Sequence, residues 1–178
     1  MHEVIDNFLP EDVFKQMQEV VFNNYFPWFL GHGVAFADDG DIYFTHNLYQ
    51  KNLPRSEHLD LFGPLFDKLG MDSLIRAKLN LYLPSDTVYE HGLHSDWGYH
   101  HNGCVFYFNS CDGYTKLDDG TKVETIENRA LLFDASIPHC STSCTNAPYR
   151  ITFNCNYFRG TVNPDSINQE RNRRNLSI

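Results

Sequence analysis

The stretch RAKLNLYLP, residues 76–84, alternates residue by residue. Ala77, Leu79 and Leu81 fall on one side and Lys78, Asn80 and Tyr82 on the other, the period of two of an extended strand. A second stretch, YRITFNCNYF (149–158), does the same: Ile151, Phe153, Cys155 and Tyr157 oppose Arg150, Thr152, Asn154 and Asn156. In each strand the apolar side is expected to meet a core and the polar side to meet solvent. The alternative is that both sides are covered and the polar one lines a ligand cavity.

Between these two runs lie further short segments broken by turn residues: TVYEHGLHSDW (87–97), GCVFYFNS (103–110), TKVETIE (121–127), RALLFDAS (129–136) and IPHCSTS (137–143). Asp119-Gly120 marks a hairpin turn. Many short strands at this spacing predict a sandwich or barrel such as a jelly roll. Upstream, Val13, Phe14, Met17, Val20 and Val21 recur at helical spacing after Pro10. A second helix is predicted over 56–70, with Ser56 as N-cap, Gly70 as stop and Pro64 splitting or kinking it. The residues between, with FADDGDIYF (36–44), read as strand and loop. The fold class is therefore mainly β with N-terminal helices. We expect one domain: a helical support or lid region over 1–75, a jelly-roll core over 76–158 and a loose polar tail over 159–178.

The chain has 178 residues, 42% of them hydrophobic, enough for a sizeable core. Its formal charge of −9 argues against a broad phosphate-binding surface and makes nucleic acid an unfavoured partner. No apolar run is long enough to cross a bilayer, so no membrane partner is expected. MHEVIDNFLP lacks a basic stretch followed by an apolar one, which sets the expectation of a cytoplasmic protein. Cys104, Cys111, Cys140, Cys144 and Cys155 are an odd set expected to stay free thiols, with Cys140 and Cys144 buried rather than bound to zinc.

The segment LHSDWGYHHNG (93–103) concentrates ligand-type side chains. His94 and Asp96, two apart, share a face if the chain is extended there, and His139 follows downstream. Two imidazoles and a carboxylate are the facial triad that suits non-haem Fe(II) and leaves three coordination positions open. Arg150 follows His139 on the next predicted strand, and Thr152 shares its face. A guanidinium with a hydroxyl makes a clamp for a carboxylate. His91, His100 and His101 read as rim or loop residues and Trp97 as packing.

This ordered set, His94-x-Asp96, His139, then Arg150-x-Thr152, resembles the Fe(II)/2-oxoglutarate-dependent oxygenases. It is most similar to their prolyl 4-hydroxylase-like branch. Tyr82 in LYLP and Tyr107 before Asn109 match two tyrosines that help hold 2-oxoglutarate in that branch. The resemblance implies a double-stranded β-helix flanked by helices, with His94, Asp96 and His139 as metal ligands. It also implies Arg150, Thr152, Tyr107 and Tyr82 as 2-oxoglutarate contacts. The implied cofactors are Fe(II), 2-oxoglutarate and O2, with ascorbate as a further reductant. The implied reaction is hydroxylation of a C–H bond in a protein side chain, proline included, or in an amino-acid-like small molecule, with release of succinate and CO2.

Some features depart from the pattern. NSCDGYTKLDDG (109–120) stands where many members carry a Gly-Gly pair, and the loop between the metal strands is short. Where nucleic-acid demethylases of the superfamily carry a second arginine, this chain has Asn156. Asp96 keeps the carboxylate that halogenating members lack. Two competing readings are a cupin-like jelly roll that binds metal and a small molecule without oxygenase activity, and a noncatalytic interaction domain.

Overall fold

The computed structural model describes residues 2–37 and 39–160, so the tail expected at 159–178 lies, beyond Gly160, outside the described residues. In chain order the elements are β1 (Glu3–Ile5), α1 (Glu11–Val21), β2 (Phe29–His32), β3 (Ile42–Gln50), β4 (Leu53–Pro54), a 3-10 helix (Glu57–Phe62), α2 (Gly63–Leu69), β5 (Ser73–Tyr82), β6 (Asn102–Tyr107), β7 (Tyr114–Leu117), β8 (Lys122–Glu124), β9 (Ala130–Asp134), β10 (His139–Cys140) and β11 (Arg150–Phe158).

The helices begin and end where the chain chemistry dictates. Pro10 precedes α1, whose first turn carries Glu11 and Asp12 against the helix dipole and whose buried side is Phe14, Met17 and Val21. The second helical stretch is split at Pro64. A 3-10 segment capped by Ser56, whose hydroxyl oxygen accepts from the His58 N–H, gives way to α2, which stops at Gly70 in the left-handed region (φ 59°).

The strands form two antiparallel sheets. The large one runs β1-β9-β6-β11-β5-β3-β2, with β4 on β3, and the small one runs β10-β7-β8. The predicted hairpin at Asp119-Gly120 joins β7 to β8, with Gly120 at φ 86°. Thus the first 75 residues are more than helical support: they contribute β1 to one edge of the large sheet and β2, β3 and β4 to the other. The architecture is the jelly roll expected, with helices on one face of the large sheet.

Strand alternation divides the interior in two. Ala77, Leu79, Cys104, Phe106, Ile151, Phe153 and Cys155 point to the helices and pack with Phe8, Phe14, Met17, Phe62 and Leu65. Phe62 stacks on Phe153 with ring centroids 5.0 Å apart. The opposite faces of β5 and β11 look toward the small sheet. The solvent-facing expectation for these polar sides is corrected here: Arg150, Thr152 and Asn156 are at most 1% exposed. The small sheet covers them, and its own apolar residues Leu117 and Val123 pack with Val105, Tyr107 and Leu131 at one end of the gap.

Candidate metal centre and anion pocket

The segment 87–97, expected as a strand, forms isolated bridges in place of a continuous ladder, Glu90 with Thr142 and His94 with His139. Backbone bonds are spaced along it, from His91 N–H to Ser141 O (3.0 Å) and from Ser143 N–H to Tyr89 O (3.0 Å). At its end the backbones of His94 and His139 exchange two bonds, 3.0 and 2.9 Å, while the Asp96 N–H turns to Ala135 O (3.0 Å). That change of partner, more than strand alternation, aims both side chains at one point.

One ligand-type atom from each of His94, Asp96 and His139 falls within 4.8 Å of the others. The His139 Nε2 lies 3.9 Å from Asp96 Oδ2. Each histidine offers Nδ1 to a backbone carbonyl, His94 to Gly92 O (3.1 Å) and His139 to Ile137 O (3.0 Å). A carbonyl can only accept, so Nδ1 carries the proton and the Nε2 lone pair is left for a metal. Burial pushes the His139 imidazole below its usual range, outweighing the Ile137 bond and Asp96, and so favours the neutral form a ligand needs.

Behind the carboxylate stand two residues the sequence did not single out as its partners. Arg76 Nη2 donates to Asp96 Oδ1 (2.5 Å) and Asn156 Nδ2 donates to Asp96 Oδ2 (2.7 Å), while Arg76 Nε donates to Asn156 Oδ1 (3.1 Å). Burial alone would raise the Asp96 carboxyl. The Arg76 charge, with the hydrogen bonds from Arg76 and Asn156, overcomes it and holds the group below the usual carboxylate range. Arg76 also lies over the Trp97 ring, 4.7 Å from its centroid. His101, read as a rim residue, is instead wholly buried, with Nε2 3.2 Å from Asn156 Nδ2, because the chain turns inward into β6. His100 remains outside, 2.7 Å from Asp134, and His91 is buried against Tyr82, centroids 5.2 Å apart.

The same cavity, about 410 Å³ of space with part open to solvent, is lined by the triad, by Arg76, Lys78, Asn80 and Tyr82 of β5 and by Arg150, Thr152 and Asn154 of β11. Arg150 is 0% exposed. Its Nε donates to Thr125 Oγ1 (2.7 Å), Nη2 to Thr115 Oγ1 (3.1 Å) and Nη1 to Thr142 O (3.4 Å). All three acceptors are neutral, and no described carboxylate pairs with it. A buried, uncompensated guanidinium is costly, and the cost is relieved by a bound anion. Tyr82 lines this end of the cavity. Tyr107 does not: it sits beneath the guanidinium and donates to Thr115 Oγ1 (2.9 Å), so it braces the residue that braces Arg150. Thr152 lines the cavity and donates to Asn154 Oδ1 (3.0 Å). The Asn80 Oδ1, buried beside it, has no hydrogen-bond partner among the described residues.

The donor set fits Fe(II): two neutral imidazoles and one ionised carboxylate. The uncompensated Arg150 fits a carboxylate cosubstrate. The five cysteines are free, and among the described residues no cluster of metal-ligating side chains other than His94, Asp96 and His139 occurs.

No family model matches the chain, and no curated protein matches it in sequence. Its fold matches solved structures over most of its length. An oxidoreductase of the 2OG-Fe(II) oxygenase family from Burkholderia pseudomallei aligns at TM-score 0.67 and 14% identity, over 89% of this chain and 85% of that one. A prolyl hydroxylase from Trichoplax adhaerens, solved with a hypoxia inducible factor peptide fragment, aligns at TM-score 0.66 and 16% identity over 88% and 83%. A prolyl-4-hydroxylase from Pseudomonas putida aligns at 0.59 and 14% over 89% and 92%. The jelly roll of this chain, helices included, is thus the fold of the 2OG-Fe(II) oxygenases, prolyl hydroxylases among them.

Proposed function

We propose that this protein is a non-haem Fe(II)/2-oxoglutarate-dependent oxygenase that hydroxylates a C–H bond of a protein side chain, proline included, or of an amino-acid-like small molecule. The observation that carries the reading is Arg150: a fully buried guanidinium with no carboxylate partner among the described residues, in the same cavity as the two-histidine, one-carboxylate cluster. His94, Asp96 and His139 would hold the iron. Arg150, with Tyr82 and Thr152 at hand, would hold the distal carboxylate of 2-oxoglutarate. When bound, iron and 2-oxoglutarate, with O2 as the oxidant, would supply an oxidative decarboxylation that yields succinate and CO2, one oxygen atom entering succinate and the other a C–H bond.

The chain's own part is to position and to exclude water. Arg76 and Asn156 fix both oxygens of Asp96 and keep it ionised. The Gly92 and Ile137 carbonyls fix the tautomers of the two imidazoles. The threonine cradle keeps Arg150 extended and dry, where a charge-assisted pair is strong. A cupin-like binder would use the metal cluster but has no need of Arg150.

Anaerobic calorimetric titration with Fe(II) and then 2-oxoglutarate tests the reading. Arg150→Ala should weaken 2-oxoglutarate on the order of 100-fold while metal uptake persists, and Asp96→Ala should abolish metal uptake. Parent-like 2-oxoglutarate affinity in Arg150→Ala would sink the assignment.

A further inference from the structure

The cavity wall carries one cation too many. On the paired strands β5 and β11 the inward residues form successive rows, Tyr82 with Arg150, Asn80 with Thr152, Lys78 with Asn154, and Arg76 with Asn156. Rows two residues apart are separated by about 6.7 Å. Arg150 at one end awaits an anion, and Arg76 at the other is matched by Asp96. Lys78 lies between them and no described carboxylate pairs with it. Its Nζ has only the Tyr43 hydroxyl at 3.5 Å and the face of that ring, 5.5 Å to the centroid. Burial, with the nearby Arg76 charge, pushes the Lys78 ammonium down to about 7 against the pull of Asp96.

Its cross-strand partner has the same shortage. Asn154 accepts at Oδ1 from both Asn80 Nδ2 (3.0 Å) and the Thr152 hydroxyl (3.0 Å). Those two bonds fix the orientation of the amide, and its NH2 group is left without an acceptor among the described residues on a side chain that lines the cavity. Lys78 and Asn154 are therefore two donors, opposite one another, which among the described residues have no anionic acceptor and, beyond the long Lys78–Tyr43 bond, no acceptor at all. They stand two rows from Arg150, about 13 Å between backbones along the strand, at the metal-ward part of the same cavity wall. Even with a divalent metal and dianionic 2-oxoglutarate bound, the metal, Arg76, Arg150 and Lys78 outweigh Asp96 and the dianion.

We infer that Lys78 and Asn154 form a second anion-recognition pair in the cavity, one that selects a primary substrate bearing a carboxylate close to the bond that reacts. This rests on the oxygenase reading and deepens it. Of the substrates considered above it favours a free or N-acylated amino acid over a residue within a peptide, whose backbone carboxyl is spent in an amide. A part-buried lysine facing the cavity contributes nothing to a neutral substrate, whereas a substrate carboxylate there would pair with it.

The test loads the protein with Mn(II), redox-inert under these conditions, and 2-oxoglutarate. Free L-amino acids and N-acetyl-L-amino acids, each beside its neutral carboxamide, are then titrated calorimetrically. At least one acid should bind tenfold or more tighter than its amide, about 1.4 kcal/mol. Lys78→Met should erase that preference while leaving 2-oxoglutarate affinity within about twofold, and Lys78→Arg should keep it. Retained 2-oxoglutarate binding doubles as the check that Lys78→Met is folded, and Lys78→Gln is read in its place if it is not. Acids and amides alike throughout, including no binding by either, overturns the inference, as does an undiminished preference in Lys78→Met. A large loss of 2-oxoglutarate affinity in Lys78→Met overturns it too, by assigning the lysine to the cosubstrate. If the parent fails to take up metal and 2-oxoglutarate at all, the oxygenase reading itself falls, a result distinct from each of these.

Discussion

At the level of single side chains, the metal cluster depends on a residue with no ligand atom of its own. Arg76 bonds Asp96 at 2.5 Å and is bonded in turn to Asn156. It is a positioning residue, and its loss should weaken metal binding about 10- to 100-fold, the usual cost of removing such support. A merely structural role would stop there. Arg76 also lowers the Asp96 carboxyl, so in Arg76→Met that group should take its proton at higher pH. Metal binding, followed by calorimetry against pH, should then fail earlier on acidification than in the parent. An unchanged acid limb would show that Arg76 only fills space. His94, Asp96, His139 and Arg150 could be picked out from side-chain chemistry and order along the chain. Arg76 could not, because its role exists only once β5 pairs with β11, setting it beside Asn156, and the segment carrying Asp96 folds against both.

Among the elements, the approach of β7 to β11 sets the anion pocket. Gly113, just before β7, has an unremarkable φ, and what matters there is space. A Cβ at this position would lie 2.7 Å from Arg150 Cδ and 2.6 Å from Ser143 O, closer than side chains pack. Gly113→Ala should therefore push the guanidinium off Thr115 and Thr125 and weaken 2-oxoglutarate about tenfold or more, with metal affinity unchanged. Calorimetry of both ligands on the variant checks this, and equal losses of the two would point to general unfolding instead. The sequence showed Gly113 only as one of two separate glycines in NSCDGYTKLDDG. The helix boundaries were legible for a different reason: Pro10, Ser56, Pro64 and Gly70 act through their own backbones and need no distant partner.

For the molecule as a whole, ligands that bind only the folded sandwich should stabilise it. With metal present, 2-oxoglutarate at a hundred times its dissociation constant should add about 2.7 kcal/mol, a rise of roughly 5–10 °C in melting temperature. Arg150→Ala should lose that increment and keep the one due to metal. A 2-oxoglutarate shift of full size in the variant would mean that the anion binds elsewhere. The strand periodicity, the helix stops and the ordered ligand types were settled along the chain, because each depends on neighbours within a few residues. Whether the polar faces of β5 and β11 met water or a cavity was not, nor was the burial of His101 or the cradle of Thr115, Thr125 and Thr142 around Arg150. Those depend on a second sheet closing over the first, and on pairings between residues as much as 85 apart that no local pattern encodes.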